Sequence, residues 1–135
     1  MRRTDVFFYG LFMDEDLLRS KGVKPESVEL ASVHGVALRI GRRAALVPSL
    51  GHRVHGVVCS LTLDELEQLY SEPSVRAYQP EAVLVELAAG GVIAALCYNL
   101  PDAPEANEHN PEYAAKLRAL AHRIGLPADY VATLR

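Results

Sequence analysis

Apolar positions gather in short runs whose spacing changes along the chain. DVFFYG at residues 5–10 is a β-rich run. Asp14 then opens DEDLLRSKG, where Leu17 and Leu18 lie between an acidic start and Gly22, the pattern of a short capped helix. VELASVHGVALRI (28–40), AALVPS (44–49) and RVHGVVCSL (53–61) are rich in β-formers and broken at Gly41, Pro48 and Gly51, which predicts consecutive antiparallel strands. The period then changes. Thr62 with Glu65 forms a capping box, and Leu63, Leu66 and Leu69 lie close to one helical face. Pro73 disfavours helical geometry in the residue before it, so this helix stops before Glu72. EAVLVELAAGGVIAALCYNL (81–100) predicts two strands around Gly90-Gly91. Asn110-Pro111 starts a helix that ends at Gly125, with Leu117, Leu120, Ala121 and Ile124 as its apolar stripe.

The pattern totals roughly six strands and three or four short helices. Strands in runs, not alternating with helices, predict an α+β fold: a small, mostly antiparallel curved sheet or barrel with short flanking helices. Strands near 5–10, 31–40, 53–60, 78–87 and 92–98 are expected to share one sheet. The length of 135 residues suits a single domain spanning 1–135, since two independent cores would each be too small.

Composition narrows the function classes. Half the residues are hydrophobic and 23% are charged, as in a soluble globular chain. The net charge of −3 and scattered Lys and Arg give no basic field for a phosphate backbone, so no nucleic-acid partner is expected. Arg2 and Arg3 are followed at once by Asp5 and a strand-like run. Neither a signal-peptide apolar region nor a stretch of about 20 apolar residues occurs, so no membrane partner is expected and the cytoplasm is the expected location. Cys59 and Cys97 sit in apolar strand-like runs and are expected as buried free thiols. His52 and His55 are three apart, point to opposite faces of a strand and make a poor metal pair; no metal site is expected. Ser71 and Cys59 lack the local signature of a nucleophile site.

What remains is a carboxylate, Glu72, placed where one helix has stopped and the next strand has not begun. The strand ending in Tyr9-Gly10, the segment VHGVVCSLT leading into a helix, Glu72 after that helix with Tyr78 beyond it, and the tail NPEYAAKLRALAHRIGLPADYV carry a resemblance. Over nearly its whole length the chain resembles the γ-glutamylcyclotransferase-like family. The resemblance implies a small mixed barrel with flanking helices, and an enzyme that cyclises a γ-glutamyl group to 5-oxoproline while releasing an amine or amino acid. It implies no cofactor and a small-molecule γ-glutamyl substrate.

In the family the loop after the first strand holds the γ-glutamyl end, which here corresponds to Tyr9, Gly10, Leu11, Phe12 and Met13. Tyr9 and Gly10 match the family pattern; Leu11 and Phe12 stand where Ser and Asn are usual. Backbone N–H groups do not depend on side-chain identity, so the loop keeps a means of cradling a carboxylate at a helix start. Asp14, Glu15 and Asp16 already compensate that helix dipole. The family's catalytic glutamate follows a Leu-Asp pair and precedes Gly; Glu72 follows Tyr70 and Ser71 and precedes Pro73.

The chemistry gives Glu72 its expected role. In a γ-glutamyl substrate the α-amine attacks the side-chain carbonyl, but with a pKa of about 8 it is mostly ammonium at neutral pH. A carboxylate attracts the ammonium, takes its proton and later returns one to the leaving amine; partial burial would raise its pKa toward that task. Glu72 is the expected base, Tyr78 a hydroxyl donor to substrate or to Glu72, and Tyr9 a pocket wall. Glu81, after Pro80, is the rival base. The alternative function is a noncatalytic relative that binds a small carboxylate or a partner. The leaving amine, expected near the polar loop PDAPEANEHN (101–110), and the oligomeric state stay open at this point.

Overall fold

Runs of β-forming residues build five strands in the computed structural model, which describes residues 2–135. They are β1 (Arg3–Phe8), β2 (Glu26–Ile40), β3 (Ala44–Thr62), β4 (Gln79–Leu87) and β5 (Val92–Asn99). Helices α1 (Glu15–Ser20), α2 (Leu63–Leu69), α3 (Pro111–Ile124) and α4 (Ala128–Ala132) flank them, and a 3₁₀ turn covers Leu11–Met13. The sheet closes into a barrel in the order β1-β3-β2-β4-β5. Every ladder is antiparallel except the closing one, where Val6 of β1 meets Leu96 of β5 in parallel. The expected α+β class and curved, mostly antiparallel sheet are therefore the observed ones.

One expectation is corrected. Segments 44–49 and 53–61 are a single strand, β3, and not two. The ladder pairs Val36 with Pro48 and His34 with Arg53, so residues 49–52 bulge outward opposite Gly35 before β3 resumes on the same partner. Pro48 and Gly51 mark a bulge inside one long ladder. Gly51 supplies the left-handed conformation there, with φ 84°, and Leu50 at its tip is 98% exposed.

Period-two alternation along β1 divides the core into two layers. Phe7 and, just beyond the strand, Tyr9 pack with Val33, Val54, Val85 and Cys97. Val6 and Phe8 pack with Leu18, Leu66, Leu69 and Leu117 from the helices. Burying a side chain of this size stabilises the fold by about 1.5–3 kcal/mol, so the helices owe their position to the outer layer. Cys59 and Cys97 are buried and unpaired. Among the described residues, no helix is long and apolar enough to cross a membrane.

The helix signals place the functional segments. The Thr62 hydroxyl accepts from the Glu65 N–H at 3.1 Å, and Glu65 Oε1 accepts from the Thr62 N–H at 2.8 Å, so α2 begins directly where β3 ends. It ends at Leu69 with Tyr70 as its cap, which fixes where the chain carrying Glu72 departs. Asn110 caps α3, accepting from the Tyr113 N–H at 3.1 Å, and Gly125 ends it with φ 90°.

Candidate functional site

Where β1 leaves the barrel, the chain turns sharply through Tyr9 and Gly10. A Cβ built on Gly10 would lie 2.5 Å from the Tyr113 hydroxyl of α3, so no larger residue fits without a shift. The 3₁₀ turn follows: the Met13 N–H donates to the Gly10 carbonyl at 3.0 Å, and the Asp14 N–H to the Leu11 carbonyl at 3.1 Å. Asp14 then caps α1, its Oδ1 accepting from the N–H groups of Asp16 and Leu17 at 3.0 and 3.4 Å. Arg123 pairs with the same carboxylate at 3.3 Å. The start of α1 is thus occupied by its own anion. This corrects the expectation that helix donors there would hold a substrate carboxylate; the loop meets the cavity through Gly10, Leu11 and Phe12 instead.

Beyond α2, residues 71–78 wind into tight turns. The Val75 and Arg76 N–H groups donate to the Glu72 carbonyl at 3.0 and 2.9 Å, and the Tyr78 N–H donates to the Val75 carbonyl at 3.0 Å. These bonds anchor Glu72 at its backbone, and its side chain meets the residue that caps the end of α1. There Lys21 Nζ donates to both carboxylate oxygens, at 2.7 and 2.9 Å. The two side chains are 39% and 26% exposed, so the pair is open to water on one side.

A cavity of about 360 Å³ joins these segments. Tyr9, Gly10, Leu11 and Phe12 line one part of it, Lys21 and Glu72 another, and Arg42 and Arg43 of the β2–β3 turn a third. Glu72 is the one carboxylate among its described lining residues. The rest is largely aromatic: Tyr70 stacks on Tyr98 with ring centroids 3.9 Å apart, and Phe12 meets Tyr70 edge-on at 5.7 Å.

The tyrosines are held neutral. Burial, reinforced by neighbouring titratable groups such as Cys97, pushes the phenols of Tyr9 and Tyr70 well above their usual range. Burial likewise pushes Tyr113 up to about 12, against the pull of the Leu11 backbone N–H. Tyr78 is also raised by burial, with Arg43 acting in the opposite direction. Tyr9 donates to the Tyr98 carbonyl at 2.9 Å. At neutral pH these rings supply shape and hydrogen-bond donors, while Glu72, Lys21 and the two arginines supply charge.

Of the residues expected at the site, Tyr9, Gly10, Leu11, Phe12, Glu72 and Tyr78 share this cavity. Two details differ from expectation. Met13 points away from the cavity: it is 3% exposed and packs in the outer core layer, because the 3₁₀ turn rotates its side chain onto the core. The Tyr78 hydroxyl donates to the Ala44 carbonyl at 2.5 Å and not to Glu72, which fixes Tyr78 as a wall braced on β3. Glu81 lies elsewhere, exposed on β4, accepting from Asn99 Nδ2 at 3.4 Å beside a separate cleft. Among the described residues no three of His, Cys, Asp or Glu gather as a metal cage.

Lys21, Arg42, Arg43 and Tyr113 escaped the sequence reading. Lys21 reads as a basic residue closing α1, and nothing local ties it to a carboxylate 51 residues on. Arg42 and Arg43 read as a polar turn.

A family model described as gamma-glutamyl cyclotransferase, AIG2-like, matches residues 6–116. A search of curated proteins gave no match. Among solved structures, the chain is similar to one titled gamma-glutamyl cyclotransferase, with TM-score 0.78 and 20% identity over 98% of this chain and 86% of that one. An uncharacterized protein from Homo sapiens aligns with TM-score 0.74 and 22% identity over 99% and 87%. YkqA from Bacillus subtilis aligns with TM-score 0.76 and 21% identity over 99% of this chain and 53% of its own. At these identities the likeness is one of fold.

Proposed function

Because the chain belongs to the gamma-glutamyl cyclotransferase, AIG2-like family, we propose that it converts a γ-glutamyl amine, amino acid or peptide to 5-oxoproline and a free amine, with Glu72 as general base. One observation carries this reading: among the described residues, Glu72 is the one carboxylate lining the cavity that the loop from Tyr9 to Phe12 also borders.

The γ-glutamyl end enters with its α-carboxylate toward the backbone of Gly10 to Phe12. Its α-ammonium exchanges with the Lys21 ammonium at Glu72, a like-for-like replacement of one N–H donor by another. Glu72 takes the proton, the freed amine attacks the γ-carbonyl, and the new C–N bond closes the five-membered ring. Glu72 returns its proton to the leaving nitrogen as the old C–N bond breaks, then takes the second proton from the ring nitrogen and passes it to the released amine, which departs as an ammonium, so charge and protons balance over the cycle. Tyr9 and Tyr78 hold the chain of the substrate against the barrel, and Met13 supports the loop from below. Alignment contributes much of the rate, since effective molarities of about 10⁵ M and above are within reach for well-placed groups. No cofactor, nucleic acid or membrane takes part in this scheme, and the reaction belongs to the cytoplasm.

The test is release of 5-oxoproline by the wild type over a panel of γ-glutamyl amines, amino acids and peptides. Activity on at least one is expected. A folded wild type inactive on all of them points to the second reading, a noncatalytic relative that binds a small carboxylate. The Lys21 pairing of Glu72 favours that reading, since it already satisfies the carboxylate.

A further inference from the structure

Charge in the cavity is unevenly balanced. Lys21 and Glu72 neutralise one another, whereas Arg42 and Arg43 have no ion-pair partner among the described residues. Their backbone is nonetheless firmly held. The Arg42 N–H donates to Glu108 Oε1 at 3.1 Å, Asn110 Nδ2 donates to the Arg42 carbonyl at 3.1 Å, and the Gly41 N–H donates to the Arg43 carbonyl at 3.1 Å. A Cβ on Gly41 would lie 2.4 Å from Pro104, so the turn is pressed against the loop at 101–110. The turn is fixed by its backbone while both guanidinium groups stay exposed and unpaired.

Their position adds a second observation. Arg42 and Arg43 line the Glu72 cavity and also a wider cleft of about 780 Å³ formed with residues 100–109. A ligand whose γ-glutamyl end lies at Glu72 and whose remainder reaches toward that cleft must pass them. The acidic residues of the cleft do not cancel them by contact. Glu108, the carboxylate nearest the turn, is engaged by the backbone N–H groups of Glu105 and Arg42, which hold its carboxyl below the usual range.

We propose that Arg42 and Arg43 form a carboxylate subsite for the leaving group, so that the preferred substrates are γ-glutamyl compounds whose released amine itself bears a carboxylate, that is, amino acids or peptides and not simple amines. This rests on the cyclotransferase reading for the position of the γ-glutamyl end. Guanidinium groups match a carboxylate in charge and in planar donor geometry, and on an exposed turn the gain is modest, about tenfold in affinity.

γ-Glutamyl-alanine and γ-glutamyl-ethylamine differ only by that carboxylate, and they make the test. Calorimetric binding is measured on Glu72→Gln protein, where turnover does not interfere, with Arg42 and Arg43 intact and again after Arg42→Gln and Arg43→Gln; melting temperature controls for folding. The alanine compound is expected to bind about tenfold more tightly, with the gap falling below twofold once both arginines are replaced. Arg43→Lys alongside Arg42→Lys should keep part of it. Equal affinities, a gap that persists without the arginines, or binding of neither compound overturns the subsite. Wild-type release of 5-oxoproline from both compounds is followed in parallel. An arginine-dependent binding gap without any product rejects the cyclotransferase reading alone; product formed with equal kcat/KM for the two compounds rejects the subsite alone.

Discussion

The two charged ends of the cavity are built differently. At one end Lys21 and Glu72 meet at 2.7 Å and complete each other; at the other, Arg42 and Arg43 share a turn clamped only through its backbone. A closed pair can act on an incoming ammonium only by exchange, so its affinity for ligand is reduced by the partner it must release. An open pair of cations needs no exchange and draws an anion directly. On the proposed function, the first end selects the γ-glutamyl amine by replacement and the second selects what is attached to it by attraction.

Breaking the first end should have the largest effect. Glu72→Gln keeps the size and hydrogen-bonding shape of the residue but removes its ability to accept the proton, so kcat for 5-oxoproline release should fall about 10²- to 10⁴-fold with little change in melting temperature. Gly10→Ala comes next. Its methyl would press on the Tyr113 hydroxyl, and overpacking of this kind costs about 1–3 kcal/mol. The loop should shift and KM rise, while Tyr113→Phe in the same chain should recover much of the lost stability by thermal melt. Lys21→Met sharpens the comparison, since removing the competing ammonium should lower KM a few-fold. An exposed pair contributes only about 0.2–1 kcal/mol, so the melting temperature should barely move. If KM rises instead, Lys21 positions Glu72 and the exchange is wrong. The smallest effect is Glu81→Gln, which lies outside the cavity and should change activity less than twofold; steady-state kinetics checks both.

An alkaline titration probes the wall between the two ends. Tyr113 is neutral in the fold and its phenol is pushed up to about 12, above the unfolded value of about 10. The proton is therefore held more tightly in the folded state. That stability is fully present below pH about 10 and is lost as pH rises through 12, as the buried ring must ionise. Tyr113→Phe should make the loss in a urea melt series across that window smaller, with the buried phenols of Tyr9, Tyr70 and Tyr78 carrying the remainder.

Local signals read correctly where local physics decides. The Thr62–Glu65 capping box, the Asn110 cap and the Gly125 stop each depend on atoms within a few residues, and each is found as the sequence predicts. Pro73 correctly ends α2 ahead of Glu72. The β3 bulge was misread as a strand boundary because Pro48 and Gly51 mark a turn equally well in either case, and only the pairing of β3 with one partner, β2, distinguishes them. That the loop at Tyr9 to Phe12 and Glu72 line one cavity was legible through family resemblance. The residues that complete the cavity were not. Lys21, Arg42, Arg43 and Tyr113 arrive by barrel closure and helix packing, and their long-range contacts leave no periodicity to read.

The central claim, that the γ-glutamyl end lies between the Tyr9–Phe12 loop and Glu72, is tested most directly by a crystal structure of Glu72→Gln protein with γ-glutamyl-alanine bound. The predicted result places the α-amine within hydrogen-bond reach of residue 72, with Lys21 displaced and the α-carboxylate against the backbone of Gly10 to Phe12. A ligand seated instead in the cleft beside Glu81, or one that leaves the Lys21 side chain on residue 72, would contradict it.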